Sequence, residues 1–243
     1  MSARSNAATV PAVRRALVGL ACVSVIVGVL LQVGVDAHGV SGLDALFLQN
    51  LTGAAMGPLM YLGAKHMVTG YDHLAFLVGV IFFLYRVKDV ALYVSLFTLG
   101  HSLTLLGGVL GGIQVNAYLV DAAIGVSVVY KALDNMNAFP LWMGLRPNPR
   151  LAVLAFGLIH GFGLATKLQE LSLPSQGLVA NIVAFNAGVE VGQAVALMLV
   201  MALLMAWRAS PGYGRFAFAT NTILMSVGLL LMGYQLSGYV LGA

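Results

Sequence analysis

The residues of this chain that could do chemistry are few, and they sit in apolar surroundings. The stretch KHMVTGYDHLAFLVGVIFFL, 65–84, places His66, Asp72 and His73 at the head of a long apolar run. His66 and His73 are seven residues apart, about two helical turns, so a helix presents both on one face. Asp72 points elsewhere and is placed to orient a neighbouring imidazole, as outer carboxylates do for metal-bound histidines. In FTLGHSLTL, 97–105, Thr98, His101 and Thr104 share a face. In FGLIHGFG, 156–163, His160 is flanked by Gly157, Gly161 and Gly163, which let another helix come close to the imidazole. In FNAGVEVGQ, 185–193, Asn186, Glu190 and Gln193 follow i, i+4, i+7 spacing and form one polar stripe. Asp121 completes the set. Imidazoles and carboxylates converging in one bundle suit a divalent transition metal, because imidazole favours nickel, copper, zinc and iron.

Plainer roles exist for each residue alone. A lone intramembrane histidine, or Asn186 with Glu190 and Gln193, can serve as hydrogen-bonding glue between helices. His66 can sit at the membrane interface, and Asp121 can be an acid favoured by a helix N-terminus. Met56, Met60 and Met67 suggest a soft path for Cu(I), but methionine is more often packing filler. His101 and His160 could be axial ligands of a haem. Ser102 beside His101 makes no hydrolase dyad, since adjacent helix residues do not face each other. The shared depth of the whole set is what these separate roles leave unexplained.

Composition dictates the elements that must position these groups. Of 243 residues 60% are hydrophobic and 8% charged, against about 25% charged in a soluble domain. The expected fold class is an all-α polytopic membrane helix bundle forming a single domain over 1–243. Seven spans reach the ~20 residues a bilayer needs: 15–35, 58–85, 90–111, 117–137, 150–167, 178–207 and 216–240. The segment 36–57 reads as an exterior loop with an interfacial helix. Arg4, Arg14, Arg15, Arg86, Lys88, Arg146, Arg150, Arg208 and Arg215 fall on one side of this map, with Lys65 and Lys167 on the other. The excess of basic residues marks the cytoplasmic side, so the N-terminus is expected inside and the C-terminus outside. The start of the chain also resembles a secretory signal peptide ending near Ala37, but its apolar run exceeds the usual ~7–15 residues and favours a retained span. The lone Cys22 excludes a disulfide framework or a thiolate cluster. No basic-aromatic patch suits nucleic acid. On this map His66, Asp72, His73, Asp121 and Glu190 lie in the outer half, and His101 and His160 near mid-membrane, ~15 Å from their inner ends.

Five blocks, HMVTGYDHLAF, FTLGHSLTL, VDAAIGVSVVYKALDN, FGLIHGFGLA and FNAGVEVGQ, agree in order and spacing with the HupE/UreJ family of bacterial membrane proteins, and the chain resembles its second subfamily. The resemblance covers about residues 60–195. It implies a metal permease, not an enzyme, in the bacterial inner membrane, with nickel as the first cargo and copper or zinc as alternatives. It maps the family's signature positions onto His66, Asp72, His73, His101, His160 and Glu190, with Asp121, Asn186, Gln193 and Thr98 supporting. Lys65 departs from the acidic residue that members often carry before the first histidine. Two other roles stay open: an accessory subunit that binds or delivers the metal of a membrane metalloenzyme, and a haem-binding redox protein. A metalloenzyme complex or a homo-oligomer is the protein partner to consider, beside the lipid bilayer.

Overall fold

The computed structural model describes residues 53–170 and 176–242. The expected span at 15–35 and most of the loop at 36–57 lie outside the described residues. Eight helices follow in order: α1 Met56–Thr69, α2 Tyr71–Ile81, α3 Val87–Leu110, α4 Ala117–Asn135, α5 Ala138–Met143, α6 Pro149–Glu170, α7 Leu178–Arg208 and α8 Tyr213–Leu241. There is no strand among the described residues. Four of the helices, α3, α6, α7 and α8, are long and apolar enough to cross a membrane, and α2 is a shorter apolar helix. The 19-residue α4 is not among the four; it carries Asp121, Lys131 and Asp134.

Three helix pairs organise the bundle: α1 with α7, α3 with α6, and α4 with α8. Lipid offers no hydrophobic drive between apolar helices, so close backbone contact through small residues must supply the packing. On α6, a β-carbon at Gly157 or Gly161 would overlap the carbonyls of Phe97 and His101 on α3. Gly188 and Gly192 of α7 stand in the same relation to Met60 and Ala64 of α1. Residue numbers rise together along both interfaces, so these two pairs run parallel. In the α4–α8 pair, Gly125 meets Gly228 and Met232 while Tyr118 meets Gly238, which is an antiparallel arrangement.

The expected single span at 58–85 is two helices broken at Gly70. The Gly70 amide closes α1 on the His66 carbonyl at 2.8 Å, and its own carbonyl opens α2 at 3.0 Å to Leu74 N. Glycine is a weak helix former, and here the break also serves packing. A β-carbon on Gly70 would lie 3.1 Å from His73 Nδ1 and 3.2 Å from Asp72 Oδ1.

Almost every residue of α2 is buried, so this helix runs through the interior of the bundle. Its far end is held by side chains from other elements. Arg208 donates to the carbonyls of Ile81 and Phe82 at 2.6 Å and of Leu84 at 2.9 Å. The Tyr213 hydroxyl donates to Phe82 O at 2.7 Å, and Asn135 Nδ2 donates to Gly79 O at 2.9 Å. The last carbonyls of a helix have no partner within it; here a guanidinium and a phenol supply them and fix the height of α2.

Candidate functional site

Four histidines from four helices meet around the start of α2. The ring of His73 lies 5.3 Å from His66 of α1, 6.3 Å from His101 of α3 and 5.0 Å from His160 of α6, each centroid to centroid and edge-on. His73, His101 and His160 are buried and His66 is half-buried. Two imidazoles on one ion, each with a metal–nitrogen bond of about 2.0–2.1 Å, have centroids about 4.5–6.4 Å apart for angles from square to linear. The three separations fall in that range. Among the described residues, however, no three His, Cys, Asp or Glu side chains are set to hold an ion as they stand.

Two of the rings have their proton positions fixed. His73 Nδ1 lies 3.1 Å from Asp72 Oδ1, an acceptor only, so Nδ1 carries a proton and, in the neutral ring, Nε2 carries the lone pair. His160 Nδ1 donates to Phe156 O at 2.7 Å with the same result. Asp72 thus bonds the ring of its direct neighbour and sits in the first turn of α2, where the helix dipole favours a carboxylate.

Aromatic rings wall the cluster. Phe97 stacks on His101 at 6.1 Å and 25°, meets His160 edge-on at 5.0 Å, and packs 5.2 Å from Phe76. Phe76 in turn lies 5.4 Å from His160. Neither phenylalanine stood out in the sequence. For Phe97 the signal was present in a repeated F-x-x-x-H, since Phe97 precedes His101 and Phe156 precedes His160 by four residues on two parallel, paired helices; Phe76 carries no such signal.

The polar stripe of α7 divides. Asn186 Nδ2 donates to Ser102 at 2.8 Å, and Gln193 Oε1 accepts from Thr98 at 3.1 Å, so two hydrogen bonds join α7 to α3. Glu190 is exposed. At 100° per residue it lies about 60° around the helix from Gln193, enough to turn it out of the interface. The structure thus does not bring Glu190 into the buried group with His101 and His160. Asp121, buried on α4, accepts from Lys167 of α6 at 3.3 Å. Met67 is buried and lines a small cavity together with His73, whereas Met56 and Met60 are exposed.

A cavity of about 10 Å³ adjoins His73. It is bordered by Met67, Gln193 and Phe97, then by Leu77, Val80, Tyr93, Val94 and Val153 toward the Arg86 end of the bundle. No charged side chain lines it.

A family model described as HupE / UreJ protein matches residues 42–243. The chain belongs to the HupE/UreJ family. All four clustered histidines, both hydrogen bonds from α7 to α3 and every described helix fall within the matched residues. Among curated proteins and solved structures, none matches the chain. Membership in the HupE/UreJ family associates the chain with metal-related accessory function at a membrane.

Proposed function

We propose that this chain is a membrane transporter or facilitator of a divalent transition metal, nickel foremost, in the inner membrane of a bacterium. The carrying observation is the contact of the His73 ring with imidazoles of three other helices. The family resemblance is what puts nickel ahead of copper and zinc. A set of imidazoles in an aromatic wall favours borderline transition metals over the oxygen-seeking magnesium and calcium.

In this reading the N-terminus is cytoplasmic, the C-terminus is outside, and the span at 15–35 brings the crossings to seven. His66, the most accessible of the four, takes the ion at the outer mouth. His73 receives it next, with Asp72 holding the proton on Nδ1 and leaving Nε2 for the metal. His101 and His160 complete the deeper set. The separations of His66, His101 and His160 from His73 each suit an ion shared with His73 in turn, so His73 is the centre of the relay. Asp121, paired with Lys167, balances charge and does not ligate. Glu190, exposed on α7, is not in the path.

One observation favours a second reading, an accessory subunit that holds or delivers metal for a membrane metalloenzyme. Beyond His73, the small cavity is lined by apolar side chains with only Gln193 and Tyr93 polar, and offers an ion no charged stepping stone. A haem is disfavoured by packing, because Phe97 and His73 both stand against His101 and His160. Nickel uptake by cells expressing His73→Ala at wild-type level tests the first reading. Uptake should fall to the level of cells without the protein; unchanged uptake contradicts transport through this site, and co-purification with a metalloenzyme supports the second reading.

A further inference from the structure

Gln193 has a property that neither glue between helices nor direct metal ligation accounts for. Its side chain is 2% exposed. Its oxygen is committed to the Thr98 hydroxyl at 3.1 Å, which turns the amide nitrogen the other way. That nitrogen, Nε2, has no hydrogen-bond partner among the described residues. A buried donor left unsatisfied costs about 1–3 kcal/mol, so its orientation calls for an acceptor. Gln193 and His73 both line the same cavity of about 10 Å³. A space of roughly 10–15 Å³ on this measure admits one water. The Nε2 atom of His73 is likewise buried and lacks a partner among the described residues.

An amide nitrogen is a donor only, so it repels a bare cation and cannot ligate one. It can hold an oxygen that the cation carries. We infer that Gln193, oriented by Thr98, binds a water of the ion's own hydration shell, so that the histidine site selects a divalent cation that keeps an aquo ligand over monovalent copper. Cu(I) is satisfied by a few soft ligands and brings no water for Gln193 to hold. Nickel and zinc commonly retain water beside protein nitrogen ligands. Gln193 and Thr98 act here as positioning residues, working through the water. The inference rests on the reading of the histidines as a metal site.

The test uses the full chain in detergent, titrated separately with Ni²⁺ and with Cu⁺. Four proteins are compared: wild type, His73→Ala, Gln193→Leu and Thr98→Val. Loss of an outer hydrogen-bonding partner typically lowers metal affinity by about 10–100-fold. Gln193→Leu and Thr98→Val should each weaken Ni²⁺ by that factor, leave Cu⁺ binding unchanged, and remove an oxygen scatterer from the X-ray absorption spectrum of the bound nickel. Thr98→Val retains the glutamine but frees its amide to turn, and serves if Gln193→Leu does not fold. Unchanged Ni²⁺ affinity and oxygen count in either folded variant overturns the inference and leaves the histidine reading intact. Absence of Ni²⁺ binding to the wild type, or unchanged binding by His73→Ala, overturns the histidine reading itself.

Discussion

The rings of His73 and His160 stand 5.0 Å apart at an interplanar angle of 71°, although one belongs to the interior helix α2 and the other to the α3–α6 pair. In both, Nδ1 is tied to a local oxygen, which leaves Nε2 to carry the lone pair of the neutral ring. Preparing two imidazoles on separate helices in the same tautomer is of little use to packing. In the proposed metal site it leaves both Nε2 atoms available to an ion.

Asp72→Asn tests that preparation. An amide can offer its nitrogen where the carboxylate offered only oxygen, so the proton on His73 Nδ1 is no longer enforced. Nickel affinity should fall by about 10–100-fold, as for other outer partners of metal-bound histidines, with thermal stability nearly unchanged. Isothermal titration beside a melting curve separates the two effects.

Gly161→Val should damage the fold and the site together. The added side chain would drive into the His101 carbonyl and the Thr104 hydroxyl, where even a β-carbon overlaps. Overpacking commonly costs about 1–3 kcal/mol, and backbone on the opposing side leaves little to yield. Thermal unfolding in detergent should shift down, and nickel binding should be lost with it. Gly107→Ala on α3, where a β-carbon meets nothing within 4 Å, is the matched control and should change neither.

Lys167→Met removes the cationic partner of a buried carboxylate. Breaking such a pair from one side typically costs about 3–5 kcal/mol, and Asp121 is well buried. The double variant Asp121→Asn with Lys167→Met should recover much of the loss, because the buried negative charge goes together with its cation. A melting series of the two single variants and the double variant measures this. If Asp121 balances charge and does not ligate, the double variant also keeps most of its nickel affinity.

Much of this was legible in the sequence for one reason: polar groups in an apolar chain are too costly to place idly. His66, Asp72, His73, His101 and His160 could be picked out by that rule, and the flanking glycines of His160 announced the close approach of α3. Periodicity alone could not find the break at Gly70, because an apolar run reads as one helix whether or not it is interrupted. It also placed Glu190 with Asn186 and Gln193, since i, i+4, i+7 spacing defines a face but not how wide an interface that face enters. The partners of Asp121 and of the α2 carbonyls were hidden for another reason. Lys167 and Arg208 read as topology-setting charges, and only the tertiary fold brings them to Asp121 and to Ile81, Phe82 and Leu84.

The most direct test is the metal content of the purified protein, wild type beside His101→Ala, after equilibration with nickel and removal of free ion. His101 is buried against His73 and Phe97, so its loss takes a ligand from the deep set without touching the mouth. Wild type should retain nickel in stoichiometric amount and folded His101→Ala should retain little. Equal metal in both proteins, or none in the wild type, would contradict the account.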